Sequence, residues 1–370
     1  MSNTTTLFPY ARTLPYGSSA EPPGDFCRQL LEHYQAILRD KRLSWTEHHR
    51  LSRLLGSGGQ GVVFLGERRG ADHFTLPIAV KVFSPDRYPD GRAYDRAMAR
   101  MAQVAARIAQ IQQDNLMKVH NFIDRNRIRL MEMEWIDGFD LAHLLTDQML
   151  ERTRTLSSQK RWDHINDVVM TAGPVHPRMK PGVAVAVMRD CLAALMALHR
   201  EGIVHGDIKP SNIMVKRTGT AKLIDIGSAF ELDDPPQRRT CTPAYAAPEV
   251  LERGQYTAQS DLASLGYVLV EMLSGQPLFA NLGDYNELLE AKRFLAQRLA
   301  HVLPQEVTCN ELLMTFCRNM IAPDPTRRFP SAEAADMQKD GAGAFLRQLI
   351  KGDLASEYDS ELRQWLEQLD

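Results

Sequence analysis

"IVHGDIKPSNIMV", residues 203–215, places Asp207, Lys209 and Asn212 in a loop between two apolar runs. That spacing aims a carboxylate, an ammonium and an amide at one point. A carboxylate so placed can accept the proton of an attacking hydroxyl. A lysine can neutralise charge on a transferring phosphoryl group, and an asparagine can hold a divalent cation. Together the three roles describe phosphoryl transfer. Further along, "AKLIDIGSAF" (221–230) sets Asp225 after a strand and before a glycine, where a carboxylate can chelate the magnesium that bridges phosphates.

Upstream, "GSGGQG" (56–61) interrupts two runs that otherwise read as strands. Glycine packs nothing and costs backbone entropy in a strand, so a cluster there marks either a hairpin turn or close approach of a ligand such as a phosphate to the backbone. Gly56, Gly58, Gly61 and Val63 fit G-x-G-x-x-G-x-V, and Lys81 follows in the apolar strand "IAVKVF". A charge in the middle of such a strand needs a counter-ion, and triphosphate oxygens can supply it.

The chain as a whole sets the limits. It has 370 residues, 44% hydrophobic and 24% charged, ordinary values for a folded chain long enough for one bilobal unit or two domains. A net charge of -2 and a pI near 6.6 point to neither nucleic acid nor an acidic membrane surface as a partner. Cysteines at 27, 191, 241, 309 and 317 form no CxxC pair and no zinc spacing, so free thiols in a reducing compartment are expected. No run approaches the ~18 to 20 uninterrupted apolar residues of a membrane span. Residues 1–24, rich in Pro, Gly, Ser and Thr and lacking a basic-then-apolar leader, read as a flexible arm.

Between these landmarks the pattern is orderly. Phe26, Leu30, Leu31, Tyr34, Ile37 and Leu38 recur at helical spacing and make 25–44 a helical extension. Residues 45–135 read mainly as five strands around a helix at 92–112, whose apolar face carries Ala97, Met101, Val104, Ile108 and Ile111. Arg96, Arg100 and Arg107 lie on another face, free to meet water or a partner. Residues 136–345 read as helical, with a long polar insert at 147–182 that stands as a functional or disordered loop. A tail, 346–370, ends in a helix with Leu362, Trp365, Leu366 and Leu369 on one face, suited to docking on its own domain.

Taken in order, these motifs resemble the eukaryotic-like (Hanks-type) serine/threonine protein kinases, in a bacterial style, over roughly residues 50–340. The resemblance implies an α+β bilobal protein-kinase fold, with a five-stranded N-lobe bearing one main helix and a mostly helical C-lobe. It implies ATP and Mg2+ (or Mn2+) as cofactors and a protein hydroxyl as acceptor. Asp207, Lys209 and Lys81 would be catalytic, and Asn212 and Asp225 would hold the metal. Leu55, Val63, Ala79 and Met214 would sandwich the purine beneath the glycines, with Met133 as gatekeeper, Glu134 to Ile136 as hinge and Asp140 near the ribose. "CTPAYAAPE" (241–249) resembles the end of an activation segment, with Thr242 facing substrate and Thr240 a possible autophosphorylation site. Glu249 would pair with Arg327, and Asp261 would brace the catalytic loop.

Three departures from the family stand out. Gly206 precedes Asp207 where many members carry arginine, and Ile226 replaces a phenylalanine after the metal-binding Asp. The helix at 92–112 offers no glutamate to Lys81: the family's usual spacing lands on Val104, with Gln103 beside it. A shifted register, substitution by Gln103 or Asp225, or an inactive helix position would each account for this. The reading is therefore a serine/threonine kinase, with a nucleotide-binding pseudokinase scaffold as the alternative. Its expected partners are ATP, a protein substrate and a regulatory protein at the insert or the 92–112 helix. A cytoplasmic location is expected, with export by a route lacking a cleaved signal left open.

Overall fold

The computed structural model describes residues 14–15, 25–40, 42–44, 48–70, 72–236, 240–252, 256–279, 282, 284–351 and 357–369. Apart from Leu14–Pro15, the arm expected at 1–24 lies outside the described residues. The strands β1 (Arg42–Ser44), β2 (His48–Gly58), β3 (Gly61–Arg69), β4 (Thr75–Phe83), β5 (Val119–Arg125) and β6 (Ile128–Glu134) form one antiparallel sheet, ordered β1-β2-β3-β4-β6-β5. The five expected strands are thus present, with the short β1 added at one edge.

β4 occupies the middle of this sheet because it is apolar on both sides. Ile78, Val80 and Val82 lie on one face, and Ala79 and Lys81 alternate with them on the other, as the two-residue period of a strand requires. Helix α1 (Asp25–Asp40) buries Leu30, Tyr34 and Ile37. Helix α2 (Gly91–Ile108) starts where Asp90 accepts from the amide of Ala93 at 2.7 Å and stops four residues short of the expected end. Its buried face is Tyr94, Met98, Val104, Ala105 and Ile108; Ala97 and Met101 are only half-buried, so the apolar stripe sits slightly rotated from the one expected.

The lower lobe is built on two buried helices, α5 (Pro181–Arg200) and α6 (Ala258–Ser274), with α7 (Tyr285–Val302) and α8 (Glu311–Ile321) around them. α5 has the length and apolar composition of a membrane span, but its apolar side chains are packed inside the lobe. α8 crosses α6 at Gly266, where a Cβ would come within 2.7 Å of Ile321 and 2.8 Å of Met320.

The insert at 147–182 is ordered secondary structure instead of a loop. It contains α3 (Asp147–Leu156), capped by Thr146, and α4 (Gln159–Val168), capped by Ser158, followed by a small hairpin pairing Met170–Thr171 with Arg178–Met179. Its apolar contribution is sparse, chiefly Met149, Ile165, Val169 and Met170, which explains why its polar composition hides the helices. What it covers is the tail. In α10 (Tyr358–Leu366), which follows α9 (Ala342–Lys351), Leu362, Trp365 and Leu366 are buried, as is Leu369 just beyond it. The Trp365 indole donates to Thr153 Oγ1 at 2.9 Å, and His164 meets Glu361 at 2.8 Å. The tail helix therefore docks on its own domain, as its apolar stripe indicates.

Replacing Trp365 by Ala leaves a large cavity between tail and insert and is expected to cost about 3–5 kcal/mol of stability. Urea unfolding measures it; a loss under about 1 kcal/mol would show that the tail contributes no packing in solution.

Candidate active site

The loop at 205–212 is hung from α6. Asp261 accepts from the backbone amides of His205 and Gly206, each at 2.9 Å, and from His199 Nε2 at 2.9 Å. The carboxylate is 1% exposed; two of these bonds position the turn and the third ties it to α5. Gly206 takes φ +76°, and a Cβ there would lie 2.9 Å from the Ser228 carbonyl, which gives a physical reason for glycine before Asp207. From below, Tyr256 Oη donates to the Gly206 carbonyl at 2.7 Å.

This bracing brings the expected polar residues together. Lys209 Nζ lies 2.8 Å from Asp207 Oδ2, Thr242 Oγ1 donates to Asp207 Oδ1 at 2.7 Å, and Lys209 reaches Thr242 at 3.2 Å. Asn212 donates to the Asp207 carbonyl at 2.8 Å, which aims its own side-chain oxygen elsewhere. Asp207, Lys209 and Asn212 are each about 5–6% exposed. A buried polar set of this kind persists only if its members satisfy one another, and here they do.

Opposite stands the second polar group. Lys81, 4% exposed, pairs with Asp225 Oδ1 and donates to Gln60 Oε1 at 2.7 Å. Burial pushes the Asp225 carboxyl up, but the charge and hydrogen bond of Lys81 outweigh it and hold the pKa at about 2. Asp225 sits at φ +61°, a left-handed conformation uncommon for a side-chain-bearing residue, stabilised by the amide of Gly227 at 3.0 Å. Of the possibilities left open for Lys81, Asp225 is the residue that pairs with it. Gln103 is exposed on α2, and Val104 is buried in its apolar face. Gln60, in the glycine stretch, has no local signature in the sequence, being a loop amide; it also donates to Ser228 Oγ at 3.0 Å.

The glycines form the roof of the cleft. Gly58 pairs with Gly61 across the β2–β3 turn. Gly61, at φ +137°, has the Val82 carbonyl 2.0 Å from where a Cβ would stand, so no other residue fits. Gly56 and Gly58 have nothing within 4 Å of that position, leaving the backbone open to approach. Beneath the roof, Val63 is registered with Lys81, Leu65 with Ala79 and Met133 with Ala79. Leu55, Val63, Ile136 and Met214 are half-buried. The floor strand Ile213–Lys216 aligns Met214 with Asp140, whose carboxylate caps the next turn by accepting from the His143 amide at 2.9 Å. Glu134 faces Lys222 and takes the Lys118 amide at 2.7 Å.

The activation-segment end is where one expected pairing is corrected. Glu249 pairs with Arg328, at 2.7 Å to each of two guanidinium nitrogens, and not with Arg327. Arg327 ends a 3-10 turn capped by Asp324 and is exposed; the chain then becomes extended and turns Arg328 inward, where it also donates to Ala322 O at 2.7 Å and Gln259 O at 2.9 Å. Two adjacent arginines are chemically equivalent in sequence, and only the turn decides between them. Thr240 is described by its backbone alone, pairing with Pro15 while Cys241 pairs with Leu14.

The arginine face of α2 is engaged within the chain. Arg107 meets Glu231 at 2.9 Å and Glu201 at 3.5 Å, and Arg100 meets Asp234 at 3.2 Å.

The residues that could hold a metal are Asp225, through its carboxylate, and Asn212, through its amide oxygen. Among the described residues no three His, Cys, Asp or Glu side chains gather as a self-sufficient cage. This set fits a hard cation that takes its remaining ligands from water and from substrate phosphates, which is how magnesium is usually held.

The family model for the protein kinase domain matches residues 49–338. The chain is 31% identical over 290 residues to the serine/threonine-protein kinase PknD of Mycobacterium tuberculosis, covering 77% of this chain and 38% of that protein. It is 28% identical over 316 residues to the serine/threonine-protein kinase PrkC of Bacillus subtilis, covering 84% and 42%. With the serine/threonine-protein kinase PknB of Mycolicibacterium smegmatis it shares 28% over 311 residues, covering 80% and 42%. The chain thus spans about two fifths of the length of these relatives.

Proposed function

We propose that this chain, which belongs to the protein kinase family, transfers the γ-phosphate of ATP to serine and threonine hydroxyls of a protein, with magnesium as its metal. The observation that carries the reading is the Asp207 carboxylate, held by Lys209 and Thr242, together with the Lys81–Asp225 pair. A hydroxyl entering beside Thr242 would donate to Asp207 and be oriented for attack. As its oxygen bonds to the γ-phosphorus, the bond to ADP breaks, ADP leaves with the electron pair, and the hydroxyl proton passes to Asp207. Lys209 balances charge on the transferring group, while Lys81 and the open backbone of the glycine roof receive the remaining phosphates. Asn212 and Asp225 would hold the magnesium, which supplies charge neutralisation between phosphates.

Lys209 and the Thr242 hydroxyl favour a serine or threonine acceptor, and Thr240 is the site we assign to autophosphorylation. The described cysteines are free thiols, which suits a cytoplasmic location. A regulatory protein would act at the outer faces of α2 and the insert, since α2 contacts the activation segment and the insert holds the tail. The absence of a glutamate on α2, whose acid Asp95 is engaged by Arg127 and Arg129, is the observation favouring a pseudokinase scaffold. Against it, Lys81, Asp207, Asn212 and Asp225 are all present, with Lys81 paired to Asp225 and Asn212 bonded to Asp207.

The test is transfer of labelled γ-phosphate, with Mg2+ and separately Mn2+, to the full chain and to a basic protein, with modified residues mapped by mass spectrometry. Label on serine and threonine, supported by Mg2+, is the expected result. ATP binding without any transfer would assign the chain to the scaffold reading.

A further inference from the structure

Among the described residues, Lys292 is the one lysine that the chemistry above leaves unused yet that is completely buried, at 0% exposure, on the inner face of α7. Its ammonium has no carboxylate partner among the described residues. Instead it sits between two aromatic rings, 4.1 Å from the centroid of Tyr267 and 4.1 Å from that of Phe279, rings that meet each other edge to face. Burial drives its pKa well below the usual lysine range, against the opposing pull of Cys241 and Glu249. A methionine or leucine would fill this space without any desolvation cost, so the amine needs a reason to be there.

Its single hydrogen-bond partner among the described residues supplies one. Lys292 Nζ donates to the Ala244 carbonyl at 2.6 Å. Ala244 lies in the segment 242–245, and its neighbours are also anchored: Thr242 donates to Asp207, and Tyr245 Oη donates to Glu271 Oε2 of α6 at 2.7 Å. Three positions in four residues are therefore tied to three separate elements, the catalytic loop, α7 and α6. Of these ties, the one from Lys292 is the only one that grips the backbone itself.

We infer that Lys292 is a positioning residue for the protein substrate, locking the backbone at Ala244 against α7 so that the surface beside Asp207 keeps one shape. The inference rests on the kinase reading above. Its chemistry separates the two substrates: the nucleotide cleft lies under β2–β4, and Lys292 touches none of it.

The experiment compares the full chain with Lys292→Met, which keeps volume and loses the donor, and Lys292→Gln, which keeps a shorter neutral donor. KM for a basic peptide is expected to rise about tenfold in the Met variant and about threefold in the Gln variant, with KM for ATP and peptide-independent ATP hydrolysis unchanged. Should the Met variant fail to fold, the Gln variant carries the test. A peptide KM at the wild-type value, or an ATP KM that rises in step with it, overturns the inference. Absence of Asp207-dependent transfer in the wild type would overturn the kinase reading instead. Hydrogen exchange of the 242–247 amides still decides on Lys292 in that event: faster in the variants if it holds them, unchanged if it does not.

Discussion

Asp207→Asn is expected to lower turnover by about 10² to 10⁴ while ATP binding survives. The substitution changes no volume, and an asparagine oxygen can still accept from Thr242 or Lys209, so the loop keeps its bracing from Asp261 and Tyr256. What it removes is the proton acceptor we propose. The nucleotide does not depend on that group, because its expected contacts are Lys81, the glycine roof and the half-buried apolar side chains of the upper lobe. Nucleotide affinity measured by calorimetry, alongside peptide turnover, separates the two effects. Turnover within about threefold of wild type would remove Asp207 from its role as base and shift the chemistry to another group.

Arg328→Met is expected to destabilise the lower lobe by about 3–5 kcal/mol, because it leaves Glu249 in a largely enclosed site with its charge uncompensated. The Arg328 side chain is 0% exposed and that of Glu249 16%, so solvent screens the pair little. Four further interactions fall with it or are strained: the guanidinium's bonds to Ala322, Gln259 and Pro323, and the Ser260 hydroxyl on Glu249. Arg327→Met is the control, since an exposed side chain at the end of a surface turn is worth no more than about 0.5 kcal/mol. Denaturant unfolding of both variants gives the comparison. Equal effects, or the larger one at Arg327, would contradict the pairing in the structure. Because Glu249 closes the segment that carries Thr242 and Ala244, the Arg328 variant is also expected to lose substrate affinity before it unfolds.

Much of this molecule was legible in its sequence for local reasons. Asp207, Lys209, Asn212 and Asp225 are spaced within short loops between apolar runs, so the strands and helices on either side leave those side chains few places to go. The five strands, the helix after β4 and the docking stripe of Leu362, Trp365, Leu366 and Leu369 follow from periodicity in the same way. Gly61 likewise answers to a local rule, its φ of +137°.

The remaining features depend on groups far apart in the chain, and only packing brings those together. Gln60 reaches Lys81 and Ser228 because the β2–β3 turn folds over the cleft. The insert is helical because the tail supplies the apolar surface that its own composition lacks. Arg328 was chosen over Arg327 by the direction of one turn, and Lys292 owes its place to two rings and a carbonyl drawn from three other segments. Residue type and spacing were enough to set the chemistry, because that depends on which groups are neighbours along a loop. Which partner each buried charge meets was left to the tertiary structure, because desolvation forces every such charge to find one wherever the fold places it.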